Sequence, residues 1–179
     1  MSKRNNLVFY SLQVIAWIIF IGLCIEAGAL TVNFIVSLYN PGFLQNLYQK
    51  LDLKQMYDES KMIFFGVYSF ILAIAYLKAH LFYIVIRLIS KLDLEKPFNS
   101  HVAGQITNIS YYTFSIGIIS YIARQITKNL SQQHGFEIDM LNQFWADSQA
   151  YILMAAVIYV IATIFSRGVE IQTENELTV

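Results

Sequence analysis

Charge is what this chain has least of. Asp, Glu, Lys and Arg make up 13% of its 179 residues, against roughly 25% in soluble domains, so there is little polar surface for water to solvate. The charges that are present cancel. Twelve basic and twelve acidic side chains leave no net charge, and hence no long-range field to draw nucleic acid or acidic substrates to the surface. Direct binding to DNA is excluded on that ground as the chain's own task. The single cysteine, Cys24, has no partner for an intramolecular disulfide and, lying inside an apolar run, reads as a small packing residue. Catalytic patterns are missing too. There is no CxxC, GxSxG or glycine-rich phosphate loop, and His80, His101 and His134 fall in separate segments without HExxH-like spacing. Asp93 and Glu95 form an acidic pair, but in a connector where solvation accounts for them. The sequence thus predicts no enzyme and no metal or cofactor site.

Apolar residues fill the space that charge leaves: 56% of the chain is hydrophobic and its mean hydropathy is +0.50. Residues 5–25, 97–123 and 148–166 contain no Asp, Glu, Lys or Arg, and a fourth stretch, 62–89, is interrupted only by Lys78 and Arg87. About 20 mainly apolar residues suffice for a helix to cross the hydrocarbon core. A soluble bundle is excluded because the apolar residues surround the helix. Between 14 and 23 every position but Gly22 is aliphatic, aromatic or alanine, which leaves no face for water. The first run continues to Tyr39, too long for the core of a signal peptide, and reads as a retained span despite Lys3 and Arg4 ahead of it.

The expectation is therefore an all-α, four-helix transmembrane bundle forming one multi-pass domain over 1–179. Its spans lie at about 7–39, 61–89, 102–126 and 148–166, with a polar tail at 167–179. Asn40, Pro41 and Gly42 stop the first span. After them Phe43, Leu44, Leu47, Tyr48 and Leu51 recur at helical spacing among polar residues, an amphipathic segment suited to the membrane surface or to capping the bundle. Pro97 ends any helix continuing from span two, and Asn99 or Ser100 can cap the next. Gln105, Thr107, Asn108, Ser110 and Thr113 point to an interior or interfacial setting for span three. Ile138, Leu141 and Trp145 share one helical face in the second amphipathic connector, and Gly168 closely follows span four.

Four spans put both termini on one side and both amphipathic connectors on the other. Lys3, Arg4, Arg87, Lys91, Lys96 and Arg167 then oppose Lys50, Lys54, Lys61, Arg124 and Lys128. The pair ahead of span one favours cytoplasmic termini and non-cytoplasmic connectors. Trp17 is too deep for an interfacial belt, whereas Tyr39, Tyr121 and Trp145 suit one.

Glu26 is the sharpest oddity. A carboxylate in hydrocarbon costs several kcal/mol unless protonated, paired or facing water. Gly22, Ala27, Gly28 and Ala29 would let another helix approach at its level. Lys78 and His80 fall at comparable depth in span two, and Arg124 is a rival partner. One reading is an interhelical ion pair that fixes register; the other is a proton-sensitive or ligand-binding site, the core of a small-molecule or proton-coupled transporter or sensor.

Three local patterns resemble a bacterial membrane family known as domain of unknown function 2975. They are Gly22-x-Cys24-Ile25-Glu26-Ala27-Gly28, the connector Leu92-x-Leu94-x-Lys96-Pro97-Phe98, and the ending that runs from Arg167 and Gly168 through Glu170, Glu174, Asn175, Glu176, Leu177, Thr178 and Val179. Where that family often has Asp before Leu-Thr-Val, this chain has Glu176, which keeps the charge. The resemblance implies a four-span protein of the bacterial inner (plasma) membrane, often encoded beside a small helix-turn-helix regulator. It further implies that the lipid-embedded chain tethers or restrains this cytosolic DNA-binding partner. The connector with Pro97 and Phe98 and the acidic tail would be the partner-binding face. An ordinary solvated terminus is the plainer account of the same tail.

Overall fold

The computed structural model describes residues 3–40, 42, 52–92, 98–135 and 139–177. Their regular elements, in chain order, are α1 (Lys3–Tyr39), α2 (Lys54–Glu59), α3 (Lys61–Lys91), α4 (Ser100–His134), α5 (Asn142–Trp145) and α6 (Ser148–Leu177), with a 3-10 turn at Asp139–Leu141 before α5. The expected all-helical class holds among these residues. The first amphipathic connector, with Leu44, Leu47, Tyr48 and Leu51, lies outside the described residues.

Local signals explain the ends of α4. The Asn99 side chain accepts a hydrogen bond from the Val102 N–H at 2.9 Å, satisfying one orphan donor of the first turn. At the other end Gly135 takes φ +73° and its N–H donates to the Ser131 carbonyl, a left-handed close that favours glycine. No stop precedes it, so the helix outruns the apolar stretch by two turns. Gly168, in contrast, stops nothing. A Cβ there would lie 2.7 Å from Cδ1 of Phe98. The glycine is a seat for an aromatic ring, and α6 continues as helix through most of the expected tail.

The long helices pack in series, α1 on α3, α3 on α4 and α4 on α6, the last contact being the most extensive. Each pair is antiparallel. Gln13 bonds Ser90 at 3.1 Å and Thr31 bonds Tyr76 at 2.8 Å across α1 and α3. His80 of α3 packs on Tyr112 of α4 at 4.6 Å, while His134 at the end of α4 meets Glu59 at the end of α2, just ahead of α3. The Ser110 hydroxyl donates to the Ala155 carbonyl at 3.0 Å, and Phe98 covers Gly168, across α4 and α6. The start of α1 and the end of α6 therefore share one end of the molecule, and α2 and α5 share the other.

These two ends solve different solvent problems. At the α2/α5 end Leu30, Leu53, Met56, Phe64, Tyr68, Ile71, Leu141 and Phe144 form a buried core. Phe34, Phe64 and Tyr68 stack within it at 5.0 to 6.3 Å, and the Tyr68 hydroxyl donates to the Leu30 carbonyl. Trp145, expected at an interface, is 2% exposed in this core. Its segment folds back onto the bundle, where Leu141, Phe144 and Trp145 join the core that holds Phe64, Tyr68 and Ile71, a burial that removes their apolar area from water. Away from this core the pattern inverts. Ile18, Ile25, Leu153 and Ile164 are each more than 60% exposed, a surface that lipid tolerates and water does not.

Length and composition qualify three helical stretches to cross a membrane: Val8–Tyr39, Lys61–Lys91 and Asp139–Asn175. α4 is as long but more polar, and its hydroxyls are spent internally. Thr107 donates to the Ala103 carbonyl, Thr113 to that of Ile109 and Ser110 to that of Ala155, with Ser110 and Thr113 both buried. Small and hydroxyl residues let α4 lie between two neighbours. At Gly117 a Cβ would fall 2.7 Å from Ile152 Cγ1 and 3.0 Å from the Ile152 backbone nitrogen. The close approach expected at Gly22 and Gly28 is absent there, since a Cβ at either meets nothing within 4 Å. Gly117→Ala should therefore lower stability by about 1–3 kcal/mol. Gly104→Ala, which meets open space, should be neutral or stabilising. Thermal unfolding of both variants in the same detergent makes the comparison.

Candidate functional site

Packing in series leaves a fourth interface unmade. α1 and α6 flank α3 and α4 without a substantial contact of their own, and between them lies a crevice of about 590 Å³. Ile19 and Leu23 line it from α1, Val85 from α3, and Met154 and Ile158 from α6. Three polar side chains join this apolar wall at one end: Lys78, Asp147 and Tyr151. Thr113 also lines it, but its hydroxyl is engaged with its own helix.

The register of the helices assembles that polar end. Gly117 on α4 abuts Ile152 on α6, so α6 begins partway along α4 rather than at its tip. The first turn of α6, with Asp147 just before it, is thereby set beside the middle of α3. The Lys78 ammonium lies 5.9 Å from the centroid of the Tyr151 ring, a distance at which the ring face attracts a cation. Asp147 is exposed and Lys78 half-buried. Ion pairs form at His134–Glu59 and Arg167–Glu170, but not between Lys78 and Asp147. The crevice thus holds opposite charges that do not neutralise one another by direct contact.

The residues singled out in the sequence are dispersed. Lys78 faces the crevice, whereas His80 lines a separate recess of about 410 Å³ with Phe20, Tyr83 and Tyr112. Two residues are separated by roughly 200° around a helix, which is why neighbours in sequence part company here. Glu26 is half-buried on α1, at a level between the Phe20–Tyr83 and Thr31–Tyr76 contacts. It belongs to the same helical row as Ile19 and Leu23, yet makes no ion pair with Lys78, His80 or Arg124 among the described residues. Arg124 is exposed beside the buried Ala123, at the α5 end. At the other end Phe98 stacks on Phe165 at 4.8 Å. Glu170 bonds Arg167 at 2.8 Å, and Glu174 and Asn175 are exposed. Glu176 and Leu177 belong to the last turn of α6, while Pro97, Thr178 and Val179 lie outside the described residues. Among the described residues no cluster of His, Cys, Asp and Glu gathers in a form that would hold a metal ion.

Asp147 and Tyr151 escaped the sequence reading. Their signal was an acid immediately ahead of an apolar span with an aromatic one turn later, a pattern that acquires meaning only once the register of α6 against α3 is known.

The matching family is described as a protein of unknown function, DUF2975, and its pattern covers residues 47–179. This chain belongs to that family. No curated relative and no solved structure matches it. The matched region takes in α2 to α6, hence three of the four helices that border the crevice.

A cation in an apolar recess with no carboxylate against it costs stability. Lys78→Met keeps the side chain's length and removes that charge, so in lipid-free detergent it should leave the melting temperature unchanged or raise it. A fall equivalent to more than about 1 kcal/mol would assign Lys78 to holding the helices together.

Proposed function

We propose that the protein is a four-span membrane protein of the bacterial inner (plasma) membrane, with cytoplasmic termini, that serves as an interaction or regulatory protein. The fourth span in this reading is α4, whose 35 residues exceed the roughly 20 a crossing needs and which buries Ser110, Thr113 and Ser120, the Ser110 hydroxyl reaching the Ala155 carbonyl of α6. Arg87, Lys91 and Arg167 gather near the end that carries the termini, in keeping with a positive inner face. Lys54, Lys61, Arg124 and Lys128 at the other end make that bias slight.

The observation that supports an interaction role best is the continuity of α6. It passes Gly168 without a break and carries Glu170, Ile171 and Glu174, all exposed, beyond the level where Phe98 packs. Glu170 and Glu174 stand one helical turn apart on the same face. A rigid acidic helix end beside an apolar Ile171 fits the basic surface or groove of a small cytosolic partner, and a helix-turn-helix regulator is the partner class proposed. Nucleic acid contact then belongs to the partner.

Co-purification tests this. The full chain should capture the regulator encoded beside it, and a chain ending at Val169 should lose that capture while keeping its elution profile. Capture that survives the truncation overturns the assignment of α6.

A second reading, transport or sensing built around Glu26, is supported by one observation: a half-buried carboxylate on an apolar helix with no ion-pair partner among the described residues. If it holds, Glu26→Gln abolishes proton- or solute-driven flux in proteoliposomes without loss of folded protein. Absence of flux in the native chain under every gradient tried removes this reading.

A further inference from the structure

The geometry points to the crevice between α1 and α6 as a binding site for one phospholipid whose headgroup carries both a phosphate and a free amine. The ligand enters from the leaflet at the α5 end.

Access is the first argument. α3 and α4 form the floor, α1 and α6 the walls, and the side where the walls stay apart faces the hydrocarbon that surrounds their exposed apolar residues. An occupant arrives from the bilayer without crossing water.

Polarity along the crevice sets the orientation of the guest. Lys78, Asp147 and Tyr151 cluster at one end, and Ile19, Val85 and Ile158 line the other. From Lys78 to Val85 the α3 wall runs two turns, roughly 10 Å. Asp147 closes the connector from α5, so the polar end is the one nearer the α5 side of the apolar band. A headgroup seated there directs its acyl chains along the apolar floor toward the middle of the bilayer. At about 590 Å³ the crevice holds the headgroup region and the upper chains, with the remainder left among neighbouring lipids.

Charge selects the headgroup. Lys78 and Asp147 share the recess without forming an ion pair, so each is open to a ligand group of the opposite charge. A phosphate on Lys78 and an ammonium on Asp147 engage both with charge-assisted hydrogen bonds. An anionic lipid without an amine satisfies Lys78 but sets its charge against Asp147. A lipid without a phosphate leaves Lys78 desolvated and unpaired. Tyr151 contributes by holding the ammonium of Lys78 over its ring, one helical turn from Asp147.

The site stands apart from the proposed cytosolic partner, and its test uses the membrane protein alone. The full chain is purified in mild detergent and titrated with dioleoyl-phosphatidylethanolamine or dioleoyl-phosphatidylglycerol, and bound lipid is counted by native mass spectrometry. One phosphatidylethanolamine per chain is expected to be retained, in preference to phosphatidylglycerol. Lys78→Met should weaken retention of both lipids about tenfold, the loss of one charge-assisted contact. Asp147→Asn should erase the preference between them while phosphatidylglycerol binding is kept, which separates a lost contact from a lost fold. Arg124→Met, outside the crevice, should change neither. Equal retention of the two lipids by the native chain, or a preference that survives Asp147→Asn, overturns the proposal.

Discussion

The contact between Gly117 and Ile152 is what the rest of the arrangement depends on. A missing Cβ lets α4 and α6 approach until the Ser110 hydroxyl reaches the Ala155 carbonyl, and that approach sets where α6 begins along α4. Shift the register by a turn and the first turn of α6 no longer faces the middle of α3. Tyr151 would leave Lys78, Phe98 would lose the bare surface of Gly168, and the crevice would have no polar end. Van der Waals contact is the main attraction between helices in lipid, since the surrounding chains are as apolar as the helices themselves. One glycine therefore governs more of the layout than any single large side chain.

The other organising force acts elsewhere. Around Phe64, Tyr68, Leu141 and Trp145 the chain builds an aromatic core of the kind found in water-soluble proteins, tied by the Tyr68 to Leu30 hydrogen bond. Burial of apolar area is strongly favourable only where water is the alternative. The molecule thus combines a compact, water-driven cluster at one end with helices of exposed apolar surface at the other. There α4 and α6 pack closely while α1 and α6 remain apart.

Helix existence was legible in the sequence, because long charge-free runs bounded by Asn40-Pro41-Gly42 and by Asn99 leave few alternatives. The interior placement of Ser110 and Thr113 was legible as well, from amides and hydroxyls clustered on one apolar helix, though Asn108 of the same group is exposed. Ends were less so. Gly168 carries the same letter whether it closes a helix or receives a ring, and only the position of Phe98 decides. Trp145 was assigned to a membrane belt by residue type, when its segment folds inward. Lys78 and His80 share a depth in span two and are parted by helical phase. The pairing of Lys78 with Asp147 and Tyr151 was out of reach, since no pattern within one chain reports how far one helix slides along another.

The uninterrupted course of α6 has a mechanical consequence. Thirty helical residues make a strut roughly 45 Å long, with Asp147 at its head and Glu170 and Glu174 near its foot. No proline, cap or loop divides it, so it has no joint at which a displacement could be absorbed. A tilt or turn imposed where the strut borders Lys78 is delivered to its acidic foot, and a load applied at the foot is felt beside Tyr151.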